Sequence, residues 1–451
     1  MKAIPTLFVV LGVILTGFAT LSLDSVGARA KPISFIRDAE IENIIRGYAA
    51  PLFKAAGLEP SSLKIYLVKD NSLNAFVMGG QKIFINTGLL MRSTRPGQVI
   101  GVIAHETGHI AGGHLSRIED VMKKSTAQTI MAFVLGGAAM LSGRGDVGSA
   151  IIMGGQQIGA RTFLQYSRTQ ESSADQAAMT LLDKTKQSSR GLLEFMQLLA
   201  KQERLSAYRQ DPYMRTHPLS RDRINAILAH MKQSPYTEKS ATPEALEKHR
   251  RIKAKLQAFI NPIKRTLNQY KASDTRIEAR YARSIAFYRR HDLSKALPLI
   301  DGLIAERPGD PYFQELKGQM LFENGRAAEG LPYYERAVAI LPSSALLRSE
   351  LAQIQLEMDD PSLLDMAILN LNSALRTDGD SPFTWRQLAI AQGRKGDMGE
   401  SALALAEEAI LTEKKSVARY QASKAERLLP RGSRGWLKAQ DILEVAGKKD
   451  K

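Results

Sequence analysis

A spacing of 34 residues governs the second half of this chain. Pro308 and Pro342 stand that far apart, and the same offset links Ser284 to Gly318, Gly318 to Ala352 and Ala296 to Gly330. Apart from the prolines these are small residues, which helices need where their backbones cross closely. A fixed period of this length marks stacked helix pairs, each unable to bury its apolar face alone. After a short insertion, Trp385, Leu388, Ala389 and Ala409 resume the pattern. An ordinary helical bundle has no reason to repeat at constant spacing.

The register resembles the tetratricopeptide repeat, with four copies from Ile277 to Glu413 and a degenerate fifth through Trp436. The resemblance implies a right-handed superhelix whose concave face binds protein. Helical text begins near Ile252, so the expected organisation is an export segment over 1–30, a first domain over 31–250, a linker helix over 251–276 and repeats over 277–446. The two folded parts are expected to have separate cores.

Before residue 250 the text is mixed. Leu63 to Val68, Ala75 to Val77 and Lys82 to Ile85 are β-rich, the last two separated by Met78-Gly79-Gly80-Gln81 as in a hairpin. A small sheet beside a helical body is expected, making the whole chain α+β.

The strongest chemical signal is His105-Glu106-Thr107-Gly108-His109, inside an apolar stretch of helical length from Val99 to Ala111 that closes on Gly112-Gly113. Residues four apart on a helix lie about 40° apart around its axis, so both imidazoles point the same way and can hold one zinc ion. Glu106, an odd charge amid Val99, Ile100, Val102, Ile103 and Ala104, is placed to take a proton from the attacking water. The chain has no cysteine, so any metal must sit on histidine and carboxylate.

A catalytic zinc usually takes three protein ligands. An extended motif with a third histidine six residues after the second would need one at position 115, where Leu115 stands; His114 misses by one residue, about 100° of helix. The better candidate is Glu171-Ser172-Ser173-Ala174-Asp175, which opens a helical stretch running to Leu182. Glu171 would complete the metal set. Asp175, one turn later on the same face, would accept a hydrogen bond from the far nitrogen of a ligand histidine.

His217 follows a polar stretch and precedes Pro218, which biases it away from helical geometry toward an exposed loop. It could be a displaceable fourth ligand, a hydrogen-bond donor to the tetrahedral intermediate, or a loop histidine near a helix cap.

His-Glu-x-x-His followed by Glu-x-x-Ala-Asp resembles the HtpX and BepA type of zinc metallopeptidases, and the repeats narrow the resemblance to its BepA-like periplasmic branch. Asn74-Ala75-Phe76, Gly88-Leu89-Leu90 and Thr216-His217-Pro218 extend the likeness over nearly the whole chain. It implies one zinc per chain, peptide-bond hydrolysis, a substrate-binding edge strand around Asn74, Ala75 and Phe76, and quality control of unfolded or misassembled outer-membrane proteins, with the assembly machinery bound through the repeats. The rival reading is a scaffold or chaperone whose work is done by the repeats, with peptidase activity secondary.

Lys2, an apolar run from Leu7 to Phe18 and Ala28-Arg29-Ala30 read as an export signal cleaved after Ala30, which places the chain in the periplasm. The formal charge is +16. An exported protein has no nucleic-acid partner, so lipid phosphate or an acidic protein surface is the expected neighbour, unless the basic surface is simply solvated. Uncharged runs from Ile130 to Leu141 and from Val147 to Ile158 are too short to span a bilayer. They read either as a lid hairpin making peripheral contact with the outer membrane or with a membrane partner, or as a buried helix pair.

Overall fold

The computed structural model describes residues 34–78, 81–114, 168–201, 213, 217 and 219–447. The export segment, both uncharged runs and the two hairpin glycines lie outside the described residues. No helix among the described residues is long and apolar enough to cross a membrane.

Strand β1 (Phe35–Ile36) leads into helix α1 (Ala39–Ala55), whose first turn is capped by Asp38 accepting from the Ile41 amide at 2.8 Å. Strands β2 (Lys64–Val68), β3 (Ala75–Met78) and β4 (Lys82–Asn86) complete a sheet in the order β1-β2-β4-β3. The β2–β4 pair is parallel and the other two are antiparallel. Alternation sends Ile65, Leu67, Ala75, Val77, Ile83 and Ile85 into the core. The opposite face carries an aromatic row across all four strands, with Phe84 stacked between Tyr66 at 4.8 Å and Phe76 at 4.9 Å.

Helices α2 (Thr87–Arg92) and α3 (Pro96–Ala111) follow, then a helix over 168–184, α4, which is already running at residue 168, before the expected start at Glu171. Helices α5 (Arg190–Ala200), α6 (Arg221–Gln233), α7 (Pro243–Ile260) and α8 (Ile263–Gln269) lead to the repeats. Helix α3 is buried on nearly every side, between the sheet, α1 and α5. That environment explains its apolar sequence.

Five helix pairs make up the repeats: α9 (Ile277–Tyr288) with α10 (Leu293–Glu306), α11 (Pro311–Phe322) with α12 (Ala327–Ile340), α13 (Ala345–Glu357) with α14 (Pro361–Thr377), α15 (Pro382–Lys395) with α16 (Met398–Leu411), and α17 (Lys415–Leu428) with α18 (Arg434–Gly447). The small residues sit where the helices of a pair cross. A Cβ on Gly318 would meet the Tyr334 ring at 2.8 Å, and the Ser284 hydroxyl donates to the Ala296 carbonyl at 3.0 Å. The insertion in the repeat lies at α14, which has 17 residues against 14 in α10 and α12.

Helix α7 changes the expected picture of two separate cores. Ile252 and Leu256 join the core beneath the sheet, while Ala254 and Ala258, two positions on and so about 200° around the helix, join the core of the first repeat. The boundary expected near residue 250 thus falls inside a helix buried on both faces. Charged groups reinforce the junction. Arg251 pairs with the fully buried Glu40 at 2.7 Å and with Asp310, and Tyr281 donates to Glu40 at 2.9 Å. Lys255 reaches Asp38 at 2.8 Å. Farther out, Arg37 meets Asp378 at 2.7 Å and Lys64 meets Asp380 at 3.0 Å.

His249 ties the same helix to the segment before α3, lying 3.2 Å from the Ser93 hydroxyl and almost fully buried. Burial lowers its pKa to about 4, and the nearby charges of Lys253 and Arg250 add to the effect. The unfolded chain therefore binds this proton more readily than the folded one between about pH 4 and 6.5. Stability from this residue is complete above pH 6.5 and is lost as pH falls toward 4, by about 3 kcal/mol over the window. Thermal melts across that range should show a His249→Gln variant with a flatter acid limb than the parent.

Candidate active site

Helix α3 delivers His105 and His109 one turn apart, with their Nε2 atoms 3.1 Å from each other. Helix α4 brings Glu171 across them: Oε2 lies 3.3 Å from His105 Nε2, and Oε1 lies 3.3 Å from His109 Nε2. His217 closes the group, its Nδ1 being 3.0 Å from Glu171 Oε1 and 3.4 Å from His105 Nε2. One donor atom from each of these four residues lies within 4.8 Å of the others, and all four residues are buried.

Gly108 permits this approach. A Cβ there would stand 2.8 Å from the Ala174 carbonyl oxygen, so the metal-motif glycine sits where α4 presses on α3. His217 is buried, contrary to the exposed loop its sequence suggests. The Tyr213 ring stacks on it at 4.3 Å, and its amide donates to the Tyr213 carbonyl at 2.7 Å.

The outward-facing nitrogens are also held. His105 Nδ1 lies 2.8 Å from Asp175 Oδ1, and His109 Nδ1 lies 2.9 Å from His114 Nδ1. Arg223, near the start of α6, donates to Asp175 at 2.6 and 2.9 Å and meets Glu171 Oε2 at 2.9 Å. The sequence reading missed Arg223. Nothing local in the sequence marks it, since its role lies in the two carboxylates it meets across the fold. His114, one residue short of the spacing for a third ligand, instead meets the far side of His109.

Electrostatically the site is divided. Burial disfavours charge on Glu171, yet hydrogen bonds with His105, His109 and His217 outweigh it and hold the carboxyl far below its ordinary range. Burial likewise opposes a charge on His105, but Asp175 and Glu171 prevail and hold its pKa at about 9. Burial lowers the pKa of His109 and His217. Glu106 is pushed up to about 7 by burial, and neither of its carboxylate oxygens has a hydrogen-bond partner.

These residues fit a divalent cation. Imidazole nitrogens from His105, His109 and His217 and a carboxylate oxygen from Glu171 converge in one buried cluster, the donor types such an ion takes. Two imidazoles and a carboxylate are a common catalytic zinc set, and Glu106 stands beside it with unused acceptors. Asn74, Ala75 and Phe76 lie at and just before β3, the last strand of the sheet, which packs against α3.

Comparison with known proteins agrees with this construction. Residues 36–231 match the model of Peptidase family M48, and residues 281–345 match a tetratricopeptide repeat model. The chain therefore joins an M48 metalloendopeptidase domain to tetratricopeptide repeats. Over most of its length it is homologous to the beta-barrel assembly-enhancing proteases. It is 22% identical over 352 residues to that of Yersinia pestis, covering 77% of this chain and 71% of the relative. With the Escherichia coli K12 protein the identity is 21% over 375 residues, covering 82% and 76%. The metalloprotease LoiP of Escherichia coli K12 is 31% identical over 169 residues, 38% of this chain and 62% of LoiP.

Proposed function

We propose that this chain is a zinc-dependent endopeptidase of the bacterial periplasm that degrades misfolded or stalled outer-membrane proteins and assists their assembly. The observation that carries the catalytic part is the convergence of His105, His109, Glu171 and His217 beside the carboxylate of Glu106, whose oxygens accept no hydrogen bond and whose Oε1 lies 3.6 Å from His217 Nε2. The client class rests on homology to proteases named for enhancing β-barrel assembly.

His105, His109 and Glu171 would hold the zinc, and Asp175, itself pinned by Arg223, would orient His105. Zinc bound there supplies a Lewis acid that polarises the scissile carbonyl. Glu106 takes the proton of the attacking water and returns it to the leaving amine, a task suited to a carboxyl whose pKa burial has moved toward neutrality. Metal analysis tests the ligands: wild type should carry one zinc per chain, and Glu171→Ala should retain none after dialysis. A full equivalent in that variant would require a different third ligand.

Strand β3 supports substrate binding through its outer edge, which pairs with no other strand among the described residues. The Asn86 amide donates to the Asn74 carbonyl at 3.0 Å, so in the antiparallel register Asn74, Phe76 and Met78 bond inward to β4. The backbone groups of Ala75 and Val77 then face off the sheet. An extended chain added there would be held by main-chain hydrogen bonds with little demand on its sequence.

His217 acts in this reading as a latch on the metal site, displaced by client or partner. Its place within ligand distance of Glu171 and His105 supports that role. Peptide turnover by His217→Ala should rise severalfold. A fall would instead make His217 a donor to the transition state.

A further inference from the structure

We infer that His114 is a positioning residue for the metal centre, acting as the neutral hydrogen-bond acceptor that fixes the tautomer of His109. The inference rests on the metal reading above and concerns a residue outside the four donors.

The argument starts from which nitrogens face inward. His105 and His109 turn their Nε2 atoms toward each other and toward Glu171, so Nε2 is the donor each offers to a metal. An imidazole that gives Nε2 to a metal carries its proton on Nδ1. His105 Nδ1 donates that proton to the Asp175 carboxylate. His109 Nδ1 lies 2.9 Å from His114 Nδ1 and must donate there, which requires a lone pair on His114 Nδ1 and its proton on Nε2. One ligand is thus held by an anion and the other by a neutral ring.

The backbone is shaped to bring that ring back. Helix α3 ends at Ala111 with Gly112 as its cap, and Gly113 takes a φ of 62°, the left-handed turn that favours glycine. His114 then folds over the helix end, its ring 4.9 Å from that of His109 and nearly perpendicular to it. A Cβ on Gly112 would stand 2.3 Å from His114 Nε2, so the close return depends on that glycine. The Gly112-Gly113-His114 run, which by spacing alone looked like a missed ligand, serves instead to carry an acceptor to a ligand's far side.

Zinc affinity measured by competition with a chromophoric chelator tests the assignment, with melting of the zinc-stripped chain as the control for folding. Wild-type affinity tests the metal reading itself; only the differences among variants test His114. His114→Leu, which removes the acceptor, should weaken zinc binding by roughly tenfold to a hundredfold. His114→Asn, whose side-chain oxygen can stand in for Nδ1, should bind within about threefold of wild type. Gly112→Ala, which displaces the ring without altering it, should fall between the two and decides the matter should His114→Leu not fold. Wild-type affinity in His114→Leu or in Gly112→Ala would overturn the proposal. So would equal loss in folded His114→Asn and His114→Leu, since packing of the ring alone would then explain the effect.

Discussion

Replacing Glu106 with Gln should abolish peptide hydrolysis while leaving zinc content and folding intact. The metal donors are untouched, and Gln keeps the shape of the side chain but cannot accept the proton. General base catalysis contributes about 10²- to 10⁴-fold, so kcat on an unfolded model peptide should fall by at least the lower figure. Stability supplies the control. A carboxyl whose folded pKa has been raised to about 7 costs stability as pH rises through that value, so the zinc-stripped Gln variant should melt no lower than wild type at pH 8. Turnover at the wild-type rate would remove Glu106 from the mechanism. Full rescue of a deletion strain by this variant would favour the scaffold role of the repeats over proteolysis.

The second large effect is on folding. Arg251→Ala leaves Glu40 fully buried with its principal cationic partner gone and takes from Asp310 the guanidinium that joins it to α7. Breaking a buried ion pair from one side typically costs about 3–5 kcal/mol, because the remaining charge stays desolvated. Chemical denaturation should show that loss, with sheet and repeats still unfolding together. For the same reason a chain ending near residue 255 should not be an independently folded peptidase: it loses Tyr281 and Asp310, and half of α7's burial with them. A truncated chain that melts cooperatively at the wild-type temperature would contradict this account.

How far these features were legible in the sequence depended on the range of the interactions behind them. Strands β2, β3 and β4, the metal helix and the helix pairs follow local periodicity or a fixed repeat, and their positions are legible to within a few residues, whereas the two-residue β1 is too short to leave a pattern. Glu171 and Asp175 could be proposed because a helix face is also a local property. Arg223 could not, since it is distinguished only by which carboxylates it meets across the fold. The same limit hid the junction: Glu40 and Lys255 look like ordinary surface charges in a helical text, and nothing in their spacing shows that they lie buried against the repeats. The neighbours of His217 in sequence point to exposure, whereas Tyr213 stacks on it and the residue is buried.

Strand β3 has a consequence for selectivity. Another chain can pair with its outward amides and carbonyls as a strand only where that chain's own main-chain groups are not already engaged. A polypeptide closed into a finished barrel has no edge and offers none, whatever its residues. An unfinished one offers them wherever its pairing is incomplete. If this edge binds peptide as proposed, it would also sort by state of folding, sparing a completed barrel and taking a stalled one of identical sequence.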